Sequence, residues 1–405
     1  MDQGLFPELA LRLARELNDT IGYFSPWASA FPNPRDQLIG KGLEDFGVER
    51  IDFPFKLLDT EDEPEWWLFP DLFYSDLQTY LRGQGKNVWG GGWGELLELD
   101  RWKLYELLRE QGYDVAPIKT VTGVDALERE LGEREAFIKI AQYYRGLRET
   151  YRWRGRKASG SWLSSLRSDV MPAELRYMIQ QPTSDEAVEP GIDSLIKHGV
   201  VLFPLLLGWE KKDSAILSMV IDELPNWAAP MQTVIDELGD EYTNFFSAEI
   251  RKTKEQAFLT DATCRLPRPG DAIHLEMWEN LGAVMTGEDD ELKPAGKYAA
   301  QLVMSSHALA DHVLHVAIPE EFRDRVKLWN FTRDEDGEYW VLPNVLHDPA
   351  VGSAVAIGDD VEDVIKECLE IAEAVEADEL QYATDAFEDI KRQIEKGETR
   401  GVKWD

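Results

Sequence analysis

Two stretches carry most of the argument: Phe245-Phe246-Ser247-Ala248-Glu249-Ile250-Arg251-Lys252-Thr253 and Gln256-Ala257-Phe258-Leu259-Thr260-Asp261-Ala262-Thr263. Together they read as strand, turn, strand. A turn centred near Glu255 sets Glu249 opposite Asp261 in an antiparallel pair. Thr263, two residues on, faces the same side as Asp261. Three oxygen-bearing side chains then converge, which suits Mg²⁺, a hard ion that takes oxygen ligands. The competing reading of the same spacing is an ordinary solvated hairpin face.

Upstream, Lys139 ends the apolar strand Ala136-Phe137-Ile138-Lys139-Ile140. The basic segment 145–157 follows, with Arg145, Arg148, Arg152, Arg154, Arg156 and Lys157 against Glu149 alone. Gly146, Gly155, Ser159 and Gly160 predict a loop there. Arginine forks match phosphate oxygens, so this loop is a candidate cover for a polyphosphate. A patch for an acidic partner is the other reading.

The rest of the chain alternates strands and helices. Residues 5–18 predict an amphipathic helix, 20–24 a strand, 36–46 a helix, and 48–53, 66–70 and 87–89 strands, with a helix over 77–83. This order points to a small parallel sheet covered on both faces. A helix over 96–112, strands at 118–121 and 136–140 and a helix over 125–131 follow. Further strands are expected at 177–181, 194–207 with a turn at His198-Gly199, and 215–221. Helices are expected over 230–238, 271–284, 361–375 and 379–396. The remaining strand expectations are 323–331, 338–343 and 354–358.

Composition bounds the function. The 405 residues are 43% hydrophobic and 11% aromatic, enough for sizeable cores. Lys plus Arg number 43 and Asp plus Glu 77, so the net charge is 43 − 77 = −34. Long-range repulsion argues against a general nucleic-acid or anionic-membrane binder. Two cysteines, Cys264 and Cys368, cannot build a disulfide framework. No uninterrupted apolar run approaches ~20 residues, and Met1 to Leu5 lacks a basic or apolar leader pattern. These observations predict a soluble, cytoplasmic protein without nucleic-acid or membrane partners.

The order of these parts resembles the ATP-grasp superfamily, and within it the phosphoribosylamine–glycine ligases, along nearly the whole chain. Leu99-Asp100-Arg101-Trp102-Lys103 and Gly112-Tyr113-Asp114-Val115-Ala116-Pro117 resemble the opening of the grasp module. Phe137-Ile138-Lys139 resembles its phosphate-lysine strand, and Met178-Ile179-Gln180-Gln181-Pro182 its adenine hinge. Val188-Glu189-Pro190-Gly191-Ile192-Asp193 resembles the acidic strand after the hinge. Glu249 with Asp261-Ala262-Thr263-Cys264-Arg265 resembles the metal pair and the Glu-x-Asn-x-Arg motif, with Asp261 and Thr263 as departures. Val351 to Gly358 and the helix from Val361 resemble the ligase C-terminal domain.

The resemblance implies an α/β ATP-grasp fold. Its parts would be a Rossmann-like N-terminal domain (1–93), a grasp module (94–320) with a lid about 118–182, and an α+β C-terminal domain (321–405). It implies an ATP-dependent carboxylate–amine ligase, similar to enzymes of purine biosynthesis, that forms an amide through an acyl phosphate. Implied roles are Arg265 and Lys139 in catalysis, and Arg101, Lys139, Gln180, Gln181, Glu189, Arg145 and Arg148 at the nucleotide. Lys211, Lys212 and Arg268 would hold substrate, and Glu249, Asp261 and Thr263 would hold Mg²⁺, or Mn²⁺. The protein would be a monomer or homodimer acting on small molecules. A grasp protein that binds nucleotide with altered catalysis, or a grasp-type small-molecule kinase, are the alternatives. Where the family has glycine-rich substrate loops, this chain has Phe24-Ser25-Pro26-Trp27-Ala28 and Asp222-Glu223-Leu224-Pro225-Asn226-Trp227. His307, His312 and His315 are expected as helix polars, a metal triad being the other reading. Trp66, Trp67, Trp153, Trp209, Trp227 and Trp278 are expected in cores or interfaces.

Overall fold

The computed structural model describes residues 1–26, 37–115, 118–141, 150–168, 175–181, 187–310, 312–343 and 348–404. The chain opens on helix α1 (Pro7–Leu17), which begins with proline and buries Leu9, Ala10, Leu13 and Ala14. Strands β1 (Ile21–Tyr23) and β2 (Val48–Arg50) pair in parallel. So do β3 (Trp66–Phe69) and β4 (Asn87–Gly90), with helix α2 (Ser75–Gly83) between them. The small parallel sheet expected from the sequence is thus two separate parallel pairs.

The expected helix over 96–112 is interrupted. Helix α3 (Glu95–Leu99) ends at Asp100 and α4 (Arg101–Glu110) begins beyond it. The Arg101 amide donates to Ala141 O instead of continuing the helix (2.8 Å), which anchors α4 beside the next sheet. That sheet comprises β5 (Ile118–Thr122), β6 (Ala136–Ile140), β7 (Thr150–Trp153) and β8 (Arg176–Gln180), in the order β5-β8-β6-β7. Helices α5 (Val124–Leu131) and α6 (Arg156–Ser168) close a separate core around Leu127, Trp153, Leu163 and Tyr177.

The large sheet is antiparallel. Its strands are β9 (Pro190–Lys197), β10 (Val200–Lys211), β11 (Ala215–Ile221), β12 (Asn244–Lys252), β13 (Ala257–Thr263) and β14 (Tyr298–Ser306), with helix α7 (Ala229–Leu238) between β11 and β12. Helices α8 (Asp271–Met277) and α9 (Leu281–Met285) lie between β13 and β14, and a smaller sheet holds β15 (Leu314–Ala317). Strand β16 (Val326–Leu328) returns to the large sheet. β17 (Phe331–Arg333) and β18 (Tyr339–Val341) join the smaller one, whose fourth strand is Glu376–Ala377. With β19 (Ala350–Gly358), the large sheet runs β13-β12-β9-β10-β11-β14-β19-β16, so strands from both sides of residue 320 share it. Helix α10 (Val361–Ala374) is capped by Asp360, which accepts from the amides of Glu362 and Asp363, and α11 (Ala386–Glu398) ends the chain's regular structure. One sheet face packs Leu207, Trp209, Leu217 and Ala248 against α7, α10 and α11. The other packs Leu206, Ile216, Phe245 and Ala299 with α1, α8 and α9. No described helix is long and apolar enough to cross a membrane.

Other expected elements also change. Residues 37–43 form turns, not a helix, and only Glu44–Phe46 makes a 3₁₀ turn. Gly40 and Gly42 both take φ +78°, and a Cβ on Gly42 would overlap the Arg333 carbonyl. The helix over 271–284 breaks at Trp278, which is extended. The last helix begins at Ala386, not 379, because Glu379 takes φ +51°. Residues 320–325 form a 3₁₀ turn ahead of β16. Within the expected basic loop, 150–153 is strand and 156–160 is helix, because Trp153 is buried and β7 pairs with β6. Arg145, Arg148, Trp27, Ala28 and Pro182 lie outside the described residues.

Trp209 also sets a close approach. A Cβ on Gly397 of α11 would overlap its ring. Gly397→Ala should therefore destabilise the protein by about 1–3 kcal/mol through overpacking. Helix propensity alone predicts a gain of about 1 kcal/mol, so the sign of the change in urea unfolding decides between them.

Candidate active site

The large sheet places Glu249 directly across from Asp261, and Ser247 across from Thr263. A register shift after Glu249 skips Thr260, whose carbonyl is thereby left to receive side chains. Lys139 Nζ donates to it (3.1 Å) from β6, and Tyr105 Oη donates to it (2.8 Å) from α4. Lys139 is 7% exposed, so its ammonium is held where the two sheets meet. It lies 3.5 Å from Asp261 Oδ2, and Arg101 Nη2 lies 3.3 Å from the same oxygen. The break between α3 and α4 starts the second helix at Arg101, beside that carboxylate.

The two carboxylates differ in environment. Burial raises Asp261, yet Arg101, Lys139 and Lys212 together pull it below its ordinary value. Glu249 is pushed up to about 7, first by burial and then by the Asp261 and Glu189 charges. Lys212 and Lys139 oppose that rise without reversing it. Burial works against charge on Lys212, but Glu249 and Glu210 hold its ammonium above the ordinary range. Lys211, the adjacent residue, pairs instead with Asp389 of α11. Lys211 is the last residue of β10 and Lys212 lies in the turn that follows, where it shares the field of Glu249 and Asp261.

The native protein thus keeps a proton on Glu249 that the unfolded chain releases near pH 4.5. Stability should fall as pH rises from about 4.5 to 7, because the native state binds more protons over that window. The expected loss is on the order of 2–3 kcal/mol. Urea unfolding at pH 5 and 7.5 should show this loss in the parent relative to Glu249→Gln. Asp2, Glu95 and Asp193, also held high mainly by burial, act alike in both proteins. Equal pH slopes would refute the raised Glu249.

Other expected residues surround this centre. Gln180 ends β8 and is buried, while Gln181 is exposed. Glu189 pairs with Arg251 (3.0 Å), and the Arg251 guanidinium lies 5.5 Å from the Phe137 ring of the small sheet. Arg265 Nε donates to Glu98 Oε1 (3.1 Å), whose other oxygen accepts the Cys264 amide (2.8 Å). Asp71, just past β3, lies 3.9 Å from Arg265. Arg268 pairs with Asp348 (2.8 Å) and lies over Trp329.

Tyr105, Arg251, Glu98 and Asp71 escaped the sequence reading. Arg251 alternates with Glu249 along β12, and Tyr105 follows Arg101 by one helical turn; both spacings were visible. Nothing in the sequence marks Glu98 or Asp71 as partners of Arg265.

Leu224 and Trp227 are partly buried against the large core, while Asp222, Glu223 and Asn226 are exposed. One expectation is corrected. His307 opens a 3₁₀ turn and His315 lies on β15, pairing with Glu338 (2.7 Å), so the three histidines share no helix. Among the described residues no three His, Cys, Asp or Glu side chains gather as a metal-binding group. Two carboxylates nevertheless suit Mg²⁺, which takes one or two from protein and the rest from phosphates and water. The held-up Glu249, with an adjacent carboxylate, is the charge pattern a divalent cation relieves.

No family model and no curated protein matches the chain. Solved structures do. The chain is similar to a phosphoribosylamine–glycine ligase from Thermotoga maritima at 13% identity and TM-score 0.67, covering 95% of this chain and 98% of that one. It is similar to biotin carboxylase from Campylobacter jejuni, solved as its beta-gamma-ATP complex, at 14% identity and TM-score 0.63, covering 95% and 96%. An L-amino acid ligase from Bacillus licheniformis matches at 13% identity and TM-score 0.56, covering 94% and 96%. The chain has the ATP-grasp fold.

Proposed function

We propose that this ATP-grasp chain is an ATP-dependent carboxylate–amine ligase. The observation that carries it is the cross-strand pair Glu249 and Asp261, with Lys139, Arg101 and Lys212 gathered on it where two sheets meet. The reaction kinds of the structural neighbours support this reading. The parts would be residues 1–93, 94–320 with the lid about 118–182, and 321–405.

ATP would lie between the small sheet and the large one. Lys139, buried and fixed on the Thr260 carbonyl, would hold phosphate oxygens without moving. Asp261 keeps Lys139 and Arg101 charged and oriented, and Lys212 adds positive charge from the turn after β10. Glu249 and Asp261, with Thr263 beside them, would hold Mg²⁺. That ion, when bound, neutralises phosphate charge during transfer. A substrate carboxylate oxygen would attack the γ-phosphorus and release ADP. The amine nitrogen would then attack the acyl carbon, lose a proton and expel phosphate, forming the amide. Arg265, held by Glu98, is the cation proposed beside the acyl phosphate. Gln180, Gln181 and Glu189 are proposed at the nucleoside, and Arg145 and Arg148 over the phosphates. Arg268 is proposed at substrate; Lys211, tied to Asp389, is not retained there.

The test is ADP release by the purified protein over a panel of carboxylates and amines, with mass spectrometry of the products. ADP release that needs both a carboxylate and an amine, with an amide product, supports the ligase. A phosphorylated single substrate would instead show a kinase, and nucleotide binding with no turnover a non-catalytic protein.

A further inference from the structure

Among the described residues nine large apolar side chains are strongly exposed, and five of them cluster by topology. Phe53 and Phe55 follow the carboxyl end of β2, Phe73 follows that of β3, and Trp93 and Leu96 follow that of β4. In open parallel sheets, ligands bind at the carboxyl ends of the strands. Residues 1–3 tie these ends together. The Asp2 amide donates to Phe24 O (3.2 Å), the Gln3 amide to Asp71 Oδ2 (3.1 Å), and Tyr74 Oη to Asp2 O (3.1 Å). Leu58 and Tyr74 pack on one small core of Trp67, Phe69, Leu81 and Val88, which brings the β2 and β3 ends side by side.

The exposed rings are held in place. Glu95 accepts the amides of Phe73 (2.7 Å) and Tyr74 (3.2 Å) and the Gln78 side chain (2.6 Å), while Gln78 accepts the Gly92 amide (2.6 Å). This network fixes Phe73, a residue 46% exposed, at φ +76°, an outlier for a bulky side chain. Phe73 thus donates its amide to one buried carboxylate, Glu95, whose chain neighbours include Trp93 and Leu96. The rim is continuous with the reaction centre: Asp71 and Glu98, the partners of Arg265, lie two residues from Phe73 and Leu96. The glycines here do not form a phosphate cradle. Gly90 and Gly94 are bare because Gln78 and Tyr242 pack against them.

We propose that this aromatic rim is the subsite for the side chain of the carboxylate substrate, which bears an aromatic or branched apolar group and presents its carboxylate to Arg265. The proposal rests on the ligase reading. An apolar amino acid has the required chemistry, with rings and branched chains on the rim and the charged end toward the arginine.

The test measures binding and turnover separately. By calorimetry on the full chain with Mg²⁺ and a non-hydrolysable ATP analogue, L-tryptophan, L-phenylalanine and L-leucine should bind at least 10-fold tighter than glycine. Phe73→Ala and Trp93→Ala should each weaken that preference about 10-fold while nucleotide affinity stays unchanged. In turnover the same variants should raise KM for the apolar acid and leave KM for ATP as in the parent. Glycine binding as tightly as the apolar acids, or unchanged affinity in both variants, overturns the subsite. So does a concentration-dependent dimer abolished by Trp93→Ala, which would make the rim a contact between copies. If the apolar acids bind by this pattern but no acid and amine release ADP, the ligase reading fails and the subsite stands.

Discussion

Glu249→Gln should lower Mg·ATP-dependent turnover by about 10²–10³-fold, the cost of removing one preorganised electrostatic element from a phosphoryl-transfer site. Glutamine keeps the shape of the side chain and removes its charge. The register opposite Asp261 and the contacts of Lys139 with Thr260 do not depend on that charge, so the fold should persist. Apo stability at pH 7.5 should stay level or rise, because the parent holds two adjacent carboxylates with one pushed up to about 7. ADP release at saturating ATP and calorimetry with Mg·ATP check this prediction together. Parent-like turnover would show that Glu249 holds no catalytic metal, whatever the rest of the site does.

Phosphoribosylamine and glycine should be poor substrates, giving glycinamide ribonucleotide at least about 100-fold more slowly than the preferred acid and amine pair, a difference of about 2.7 kcal/mol in transition-state binding. A phosphate needs backbone amides that approach without obstruction. After β1 the described residues are Phe24, Ser25 and Pro26, and proline removes a donor. After β3 and β4 the buried groups are the carboxylates Asp71, Glu95 and Glu98. A phosphate placed among them on the side away from the Arg265 guanidinium would meet like charges at short range, at a cost on the order of several kcal/mol. Mass spectrometry of products from both substrate pairs decides the matter; comparable rates would overturn the prediction.

Much of this molecule followed from local rules. A spacing of 12 residues about a turn placed Glu249 against Asp261, because strand periodicity leaves few registers for two alternating segments. Lys139 was legible as a cation on an apolar strand, whereas Arg101 fell inside an expected continuous helix and was marked only by the family resemblance. What the sequence could not determine was set by long-range contacts. Gly40 and Gly42 fall within the helix expected over 36–46, yet a side chain is excluded at Gly40 by the Tyr23 ring and at Gly42 by the Arg333 carbonyl, some 290 residues away in the chain. Lys211 and Lys212 are equivalent in composition, and only the end of β10 separates them: Lys211 closes the strand and meets Asp389, while Lys212 in the turn beyond lies in the field of the carboxylate pair. Glu98 and Asp71 become partners of Arg265 because the ends of β3 and α3 dock beside the strand that precedes it. The chain's local patterns determined which groups carry charge and which strands they sit on. The tertiary structure decided which charges meet, because burial and pairing at that range depend on packing between elements distant in sequence.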